Sequence, residues 1–166
     1  MPCRSARHCQ HGLTLAELLL GIVVIGVLAA VTAPNLRSQI PKYRLNGATR
    51  QVLGDLMAAR MKAISQNTPI AVFFPPTIQD THSYTICSVP NIVSTPTGCL
   101  VGTVKTKDIQ TNYRNVTLTT DNNPVFLSRG TVGAVTNATI TLATTSGSQN
   151  ISKNITVSAA GRVKIN

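Results

Sequence analysis

Glu17 is the one charged side chain in an apolar run of 21 residues, from position 13 to position 33. About 20 consecutive apolar residues are enough for a helix that crosses a membrane. A carboxylate inside such a helix is costly, and it marks a functional position that needs a partner. The run therefore predicts a membrane-spanning helix in which Glu17 acts through a partner group.

The last ten residues, VSAAGRVKIN, form a second chemically informative stretch. Gly161 suits a tight turn, because glycine adopts a positive φ without strain. Arg162 and Lys164 alternate with apolar residues and so face the same side of a short strand. Two interpretations stay open: a solvated edge strand whose charges discourage pairing, and a surface that contacts phosphates.

The four cysteines divide into two pairs. Cys3 and Cys9 precede the apolar run and lack the spacing of metal ligands. Cys87 and Cys99 follow the run and are predicted to form a disulfide in an oxidising compartment. We expect neither a metal site nor a cofactor.

The sequence carries no recognisable catalytic motif. Beyond residue 33 it has one histidine, His82, and four scattered aspartates. It has no nucleophile elbow, no metalloprotease helix motif and no phosphate-binding loop. Three Phe, three Tyr and no Trp offer few platforms on which single-stranded nucleic acid could stack. We therefore expect no catalytic residue and no enzyme activity.

The chain is strongly basic, with a formal net charge of +10 over 166 residues. Beyond residue 33, 13 basic and 4 acidic side chains leave +9. Such a charge favours association with polyanions, either nucleic acid or anionic lipid. Arg4 and Arg7 precede the apolar run, and the positive-inside rule keeps them in the cytoplasm and the rest of the chain across the membrane.

Residues 34–66 are predicted to continue the helix in amphipathic form. Apolar side chains recur at steps of three and four, at Leu45, Ala48, Val52, Leu56, Ala59 and Ala63. A neighbouring set is expected to widen the buried face: Leu53, Met57, Met61 and Ile64. Pro41 and the Asn46-Gly47 pair are expected to bend or loosen this helix.

From residue 67 the composition shifts to Thr, Val, Ile, Asn and Gly, which predicts a β-rich domain over residues 67–166. The predicted strands are residues 70–74, 84–89, 100–106, 116–119, 125–127, 138–144 and 155–158, with 162–165 closing a hairpin. Proline and asparagine pairs punctuate them. There is no internal repeat.

The segment GLTLAEL, residues 12–18, closely resembles the cleavage motif of type IV prepilins. The resemblance implies that residues 1–12 are a leader, which a prepilin peptidase removes after Gly12 before it methylates Leu13. The family usually has Phe where this chain has Leu13. The resemblance also implies that Glu17 meets the amino terminus of a neighbouring subunit, since the new amino group lies four residues before it.

Beyond the leader the chain resembles the FimT/GspH family of minor pilins and type II secretion pseudopilins. The resemblance rests on LMAARMKAISQN, on the sheet after it and on the terminal Gly-Arg-x-basic hairpin. It implies an α+β type IV pilin fold, in which a long N-terminal helix with a membrane-spanning first half (residues 13–33) packs on an antiparallel β-rich head. The resemblance implies no catalytic chemistry, because the family acts by assembly.

The resemblance also implies partners and a place in the cell. The partners are prepilin peptidase, other pilins or pseudopilins, the inner-membrane assembly platform, and membrane lipid before assembly. The chain would span the bacterial inner membrane once, with its head in the periplasm, and then enter or prime a type IV pilus or a type II secretion pseudopilus. A major pilin is the alternative within the same class.

DNA-binding FimT-like members use a Gly-Arg-x-Arg tail, which Gly161, Arg162 and Lys164 resemble here. Lysine keeps the charge but lacks the planar fork of arginine. The implied partner is double-stranded DNA, with Arg114 and Arg129 as further contacts. A purely structural pseudopilin that binds no DNA is the other interpretation.

Overall fold

A computed structural model of the chain describes residues 14–74, 82–89, 105–133, 137–146 and 148–166, without the side chains of residues 31–38. It contains one helix and nine strands in these ranges. They are α1 (Leu15–Ser65), β1 (Ile70–Phe73), β2 (Ser83–Ser88), β3 (Lys105–Asp108), β4 (Val116–Thr120), β5 (Val125–Phe126), β6 (Val132–Gly133), β7 (Asn137–Ser146), β8 (Gln149–Ser158) and β9 (Val163–Ile165). The chain divides into two compact units, Met1–Arg37 and Ser38–Asn166.

The first unit contains the beginning of α1. Its large apolar side chains are exposed, from 50% at Val24 to 77% at Leu15. In the ranges that the structure describes, no helix has both the length and the apolar character needed to cross a membrane.

In the second unit, α1 buries the side chains of the predicted stripe: Leu45, Ala48, Val52, Leu56, Ala59 and Ala63 are at most 2% exposed. The expected widening of that stripe is confirmed for Leu53, which packs against the core, and is wrong for the other three positions. Met57, Met61 and Ile64 are 45%, 66% and 45% exposed, and Leu53 is half-buried. A surface helix buries a stripe about 100° wide, and these positions lie at its margin or beyond it.

Gly47 lies inside α1, which continues as one helix through Pro41 and the Asn46-Gly47 pair. A Cβ at Gly47 would overlap the ring of Tyr113. The ring belongs to the turn that precedes β4, and it packs on the core. The absence of a side chain at Gly47 therefore lets the Tyr113 ring pack directly against the helix backbone.

The strands form two antiparallel sheets, with the orders β3-β2-β1-β5-β6 and β4-β7-β8-β9. β1, β2, β4, β5, β7 and β9 agree with the predicted strands within a few residues. β6 was not predicted, and β8 begins six residues earlier than expected. Of the predicted strand 100–106, residues 100–104 lie outside the described ranges, and the last two belong to β3.

The larger of two apolar clusters in the described ranges joins α1 to both sheets. Along β7, Ala138, Ile140 and Leu142 point into it and alternate with half-exposed threonines. Thr144 continues the inward series, and its buried hydroxyl donates to the Asn115 carbonyl at 2.8 Å. The architecture is α+β, as predicted, with the helix packed on antiparallel sheets.

Candidate functional site

Two turns have glycine in the left-handed region, one between β5 and β6 of the five-stranded sheet and one between β8 and β9 of the four-stranded sheet. The φ angles are 80° at Gly130 and 74° at Gly161, which confirms the positive φ predicted for Gly161. The Gly130 amide donates to the Leu127 carbonyl, and the Gly161 amide donates to the Ser158 carbonyl, both at 2.8 Å. We call residues 127–130 and 158–161 the glycine turns.

The glycine turns touch each other through their backbones. A Cβ at Gly161 would overlap the carbonyl oxygen of Gly130. The amide of Val132 also donates to the carbonyl of Ala159, at 2.9 Å. Arg60 reaches this contact from α1, and its Nε donates to the Gly130 oxygen at 2.9 Å. The helix and both turns therefore meet at one carbonyl group.

Basic side chains gather around the glycine turns. Arg129 precedes Gly130 and Arg162 follows Gly161, so the backbone contact brings these two exposed arginines to the same end of the sheet. Lys164 is exposed on β9, where it lies opposite Thr156. We call Arg60, Arg129, Arg162 and Lys164 the basic cluster.

The basic cluster has no acidic partner in the described part of the chain, where the one ion pair joins Lys107 to Asp55. Guanidinium and ammonium groups with no carboxylate to neutralise them produce a positive local potential. The arrangement is suited to binding a phosphate backbone or another polyanion. It supplies no nucleophile and no general base.

Arg114, the fifth residue predicted for this surface, lies elsewhere. It belongs to the turn before β4, where Val116 pairs with Thr144 and Thr144 pairs with Ile151. Ile151 and Ser158 are seven residues apart on β8, which is about 23 Å at roughly 3.3 Å per residue. The structure therefore brings Arg129, Arg162 and Lys164 together and leaves Arg114 at the other end of the sheet.

Arg60 was not predicted as a site residue. It is half-buried, and its Nε donates to the Gly130 carbonyl oxygen. The sequence held only a weak indication of this burial, because Arg60 lies between Leu56 and Ala63, close to the buried stripe.

Glu17 lies in the first turn of α1. Its amide donates to the hydroxyl oxygen of Thr14 at 3.3 Å and to the Thr14 carbonyl at 3.1 Å. Threonine followed three residues later by glutamate is the spacing of a capping box, and a carboxylate is favoured at the positive end of the helix dipole. This local role of Glu17 was visible in the sequence and was missed.

Gly12 and Leu13, the predicted processing site, lie outside the described residues.

Cys87 is buried in β2 and is disulfide-bonded. It packs with Ala71 and Val125 in a small apolar cluster of its own. Cys99, its predicted partner, lies outside the described residues, so the pairing stays a prediction.

A polar cluster that the sequence did not suggest lies between α1 and the five-stranded sheet. The hydroxyl of Tyr84 donates to the Asp55 carboxylate, and Lys107 Nζ lies 2.5 Å from Asp55 Oδ1. Burial, and then the neighbouring Asp55 carboxylate, raise the pKa of Tyr84 above its ordinary value. The cluster fastens α1 to β2 and β3. Within the described ranges, metal-ligating side chains form no group of three or more.

Comparison with known families gives two matches. The model of the type II transport protein GspH matches residues 48–161. The model of the prokaryotic N-terminal methylation motif matches residues 7–33, and such a motif implies processing by a prepilin peptidase and assembly with other pilins. The sequence matches no functionally curated protein.

Solved structures share the fold. The type IV minor pilin FimU of Pseudomonas aeruginosa is 19% identical, with a TM-score of 0.55 over 75% of this chain and 90% of FimU. A second crystal form of FimU gives a TM-score of 0.53. The minor pseudopilin EpsH from the type 2 secretion system of Vibrio cholerae is 12% identical, with a TM-score of 0.52 over 74% of this chain and 96% of EpsH. The fold is the pilin fold.

Proposed function

Because this chain belongs to the GspH family, we propose that it is a minor pilin or pseudopilin subunit that enters or primes a type IV pilus or a type II secretion pseudopilus. One observation carries the proposal: the methylation motif at residues 7–33 includes the exposed apolar start of α1. Exposed apolar surface of this extent is costly in water unless a membrane or another protein covers it.

Processing comes first in this proposal. Prepilin peptidase cuts between Gly12 and Leu13 and methylates the new amino terminus. Before assembly, residues 13–33 hold the chain in the bacterial inner membrane, with the second unit in the periplasm. Arg4 and Arg7 set this orientation from the cytoplasmic side when the chain inserts, before the leader that contains them is removed.

Glu17 then guides assembly. The capping hydrogen bonds of Thr14 involve the amide of Glu17, so its carboxylate is available to another group. In a filament, apolar helices of neighbouring subunits surround it, and the amino terminus of a neighbour supplies the opposite charge. An ion pair among apolar helices is strongly destabilised when one partner is missing, so the pair fixes the position of each new subunit.

The experiment follows the chain through processing and into filaments. Cells that produce it together with a filament machinery are sheared, and the filament and membrane fractions are analysed by mass spectrometry. We expect the chain in the filament fraction with Leu13 as its methylated amino terminus. The Gly12→Asp variant should retain the leader and be absent from the filament fraction. A chain that retains Met1 despite an active peptidase, or that never enters filaments, contradicts the proposal.

A second candidate function is favoured by the basic cluster. Arg129, Arg162 and Lys164 are exposed beside one another, with Arg60 behind them, and this concentrates positive charge at one end of the sheet. Such a surface suits non-specific contact with the phosphates of double-stranded DNA. In this function the subunit holds DNA while remaining part of a filament.

A further inference from the structure

The side of α1 that faces away from the core carries an exposed, mainly apolar stripe. Tyr43 and Met61 are 73% and 66% exposed, and Ile40, Met57 and Ile64 are between 41% and 45% exposed. Large apolar side chains that are exposed on one face of a helix mark an interaction site. We call the following residues the helix stripe: Ile40, Tyr43, Arg50, Gly54, Met57, Met61 and Ile64.

The spacing within the helix stripe fits another helix. Its members follow one another at steps of three, four or seven residues, which is the pattern of a seam along which two helices pack. At Gly54 an added Cβ would meet nothing within 4 Å, so the backbone there is open to close approach. The distance between packed helices depends on the side chains at their contact, and glycine permits a short one.

Arg50 is the charged member of the stripe, and its side chain is exposed. It forms no ion pair with any carboxylate of the described ranges. A purely apolar partner would be unfavourable here, because covering the Arg50 guanidinium would remove its hydration without supplying an opposite charge. The surface instead favours an apolar partner that brings one negative charge.

From this geometry we infer that the helix stripe docks the apolar helix of a neighbouring pilin-type subunit, with Arg50 beside the single carboxylate of that helix. The inference rests on the proposed function. The chain itself shows the chemistry of the occupant: residues 15–30 are exposed, helical and apolar apart from Glu17. One cation in an apolar stripe complements one anion in an apolar helix.

The contact is compatible with the pairing of Glu17 and an amino terminus. A carboxylate has two oxygens that can accept several hydrogen bonds, so it can meet an ammonium group and a guanidinium group together. Arg50 also distinguishes this inference from docking by apolar contact alone, since it predicts a dependence on charge.

Photocrosslinking in filament-producing cells tests the inference on the full chain. A photoreactive benzoylphenylalanine replaces Met61 in one sample and Thr119, an exposed residue on the outer face of β4, in a control. We expect the Met61 position to crosslink in the filament fraction, with the attachment mapped by mass spectrometry to the apolar N-terminal helix of a neighbouring subunit. The Thr119 position should give no such product.

Charge substitutions then test Arg50. Arg50→Glu should lower the yield of the Met61 crosslink by about tenfold or more, because it places like charges together in an apolar contact. Arg50→Lys should keep most of the yield. Lys42→Glu is the matched control, an exposed charge on α1 outside the helix stripe, and it should leave the yield unchanged.

The outcomes separate the two proposals. If the chain enters filaments but Met61 crosslinks only to lipid, only to head domains, or no more than Thr119 does, the docking inference is wrong and the subunit role stands. If Arg50→Glu and Lys42→Glu behave alike, the assigned charge pair is wrong. If the chain never enters filaments, both proposals fail.

Discussion

The carbonyl oxygen of Gly130 occupies the place where a Cβ of Gly161 would stand. Arg60 donates to that same oxygen at 2.9 Å. Gly161 is therefore required by backbone packing as well as by its positive φ, and any anion contact belongs to the side chains beside it. The gathering of Arg129 and Arg162 depends on this contact between two turns.

Gly161→Ala should destabilise the second unit by more than about 1 kcal/mol, because alanine at positive φ is strained and its Cβ would also overlap backbone that cannot move aside. Gly54→Ala is the matched control. Gly54 lies in a helix with open space around it, so alanine there should stabilise by up to about 1 kcal/mol. Urea unfolding of both variants measures the difference. A loss at Gly161 no larger than the change at Gly54 would contradict the packing role.

The stability of the protein should fall at high pH through Tyr84. Its pKa is raised in the folded state by burial and by Asp55. A phenol that is harder to ionise when folded contributes stability that is fully present below its unfolded pKa of about 10, and that contribution is lost as the pH rises above this value. Unfolding free energies should therefore decrease more steeply above pH 10 in the wild type than in Tyr84→Phe. Parallel curves for the two proteins would show that Tyr84 does not control this range.

The helix and most strands could be predicted because their signals are local. The stripe from Leu45 to Ala63 repeats at helical spacing, and the β7 segment alternates threonine with apolar residues. β6 has two residues, which is too short for a periodic signal. The first half of β8 is rich in polar residues, and it becomes a strand because it pairs with β7 from Ser146 and Gln149 onward.

The site was predictable only in part, for a related reason. Gly161, Arg162 and Lys164 adjoin one another in sequence, so one motif reveals all three. Arg60 reaches the same place through its hydrogen bond to Gly130, 70 residues further along the chain, and no local pattern predicts such a contact. The exposure of Met57 and Met61 was also hidden, because an apolar residue on a helix can face a core or a partner.

Glu17→Ala should leave leader cleavage intact and reduce recovery of the chain in filaments, because the carboxylate loses its role in docking. Thr14→Ala is the structural control. It removes the capping hydroxyl of the helix, at a cost of about 1 kcal/mol, but keeps the carboxylate. Mass spectrometry measures cleavage, and immunoblots of sheared filaments measure incorporation. If Thr14→Ala loses as much incorporation as Glu17→Ala, helix capping explains the role of Glu17.

The disulfide of Cys87 should join it to Cys99. The proposed cleavage after Gly12 would take Cys3 and Cys9 away and leave Cys87 and Cys99 in the processed chain. Closing a loop of about this length stabilises the folded state by roughly 3 kcal/mol in the chain-entropy model. Peptide mapping without reductant should find Cys87 linked to Cys99, and Cys99→Ser should unfold at lower urea concentration. Two free thiols in the processed, unfolded chain would contradict the pairing.

The processed chain should bind double-stranded DNA weakly and without sequence preference. The basic cluster offers side chains for phosphates, and phosphate contacts carry no sequence information. Binding that neutralises phosphates releases counterions, so the affinity should fall steeply as salt concentration rises. Fluorescence anisotropy with labelled duplexes of different sequence, over a series of salt concentrations, measures both properties.

A charge-matched comparison decides whether this binding is local. Arg162→Gln with Lys164→Gln removes one arginine and one lysine from the basic cluster. Lys105→Gln with Arg114→Gln removes the same two types from exposed positions elsewhere. Lys107 is unsuitable as a control because it forms an ion pair with Asp55.

If the cluster binds DNA, the first pair of substitutions should weaken binding much more than the second and should lower the salt dependence. Equal losses would leave only diffuse attraction by a processed chain whose 13 basic and 5 acidic side chains give a formal charge of +8, since both pairs change that charge alike. No binding by the wild type at low salt would remove DNA as a partner, while the filament role, which rests on the apolar helix, would be unaffected.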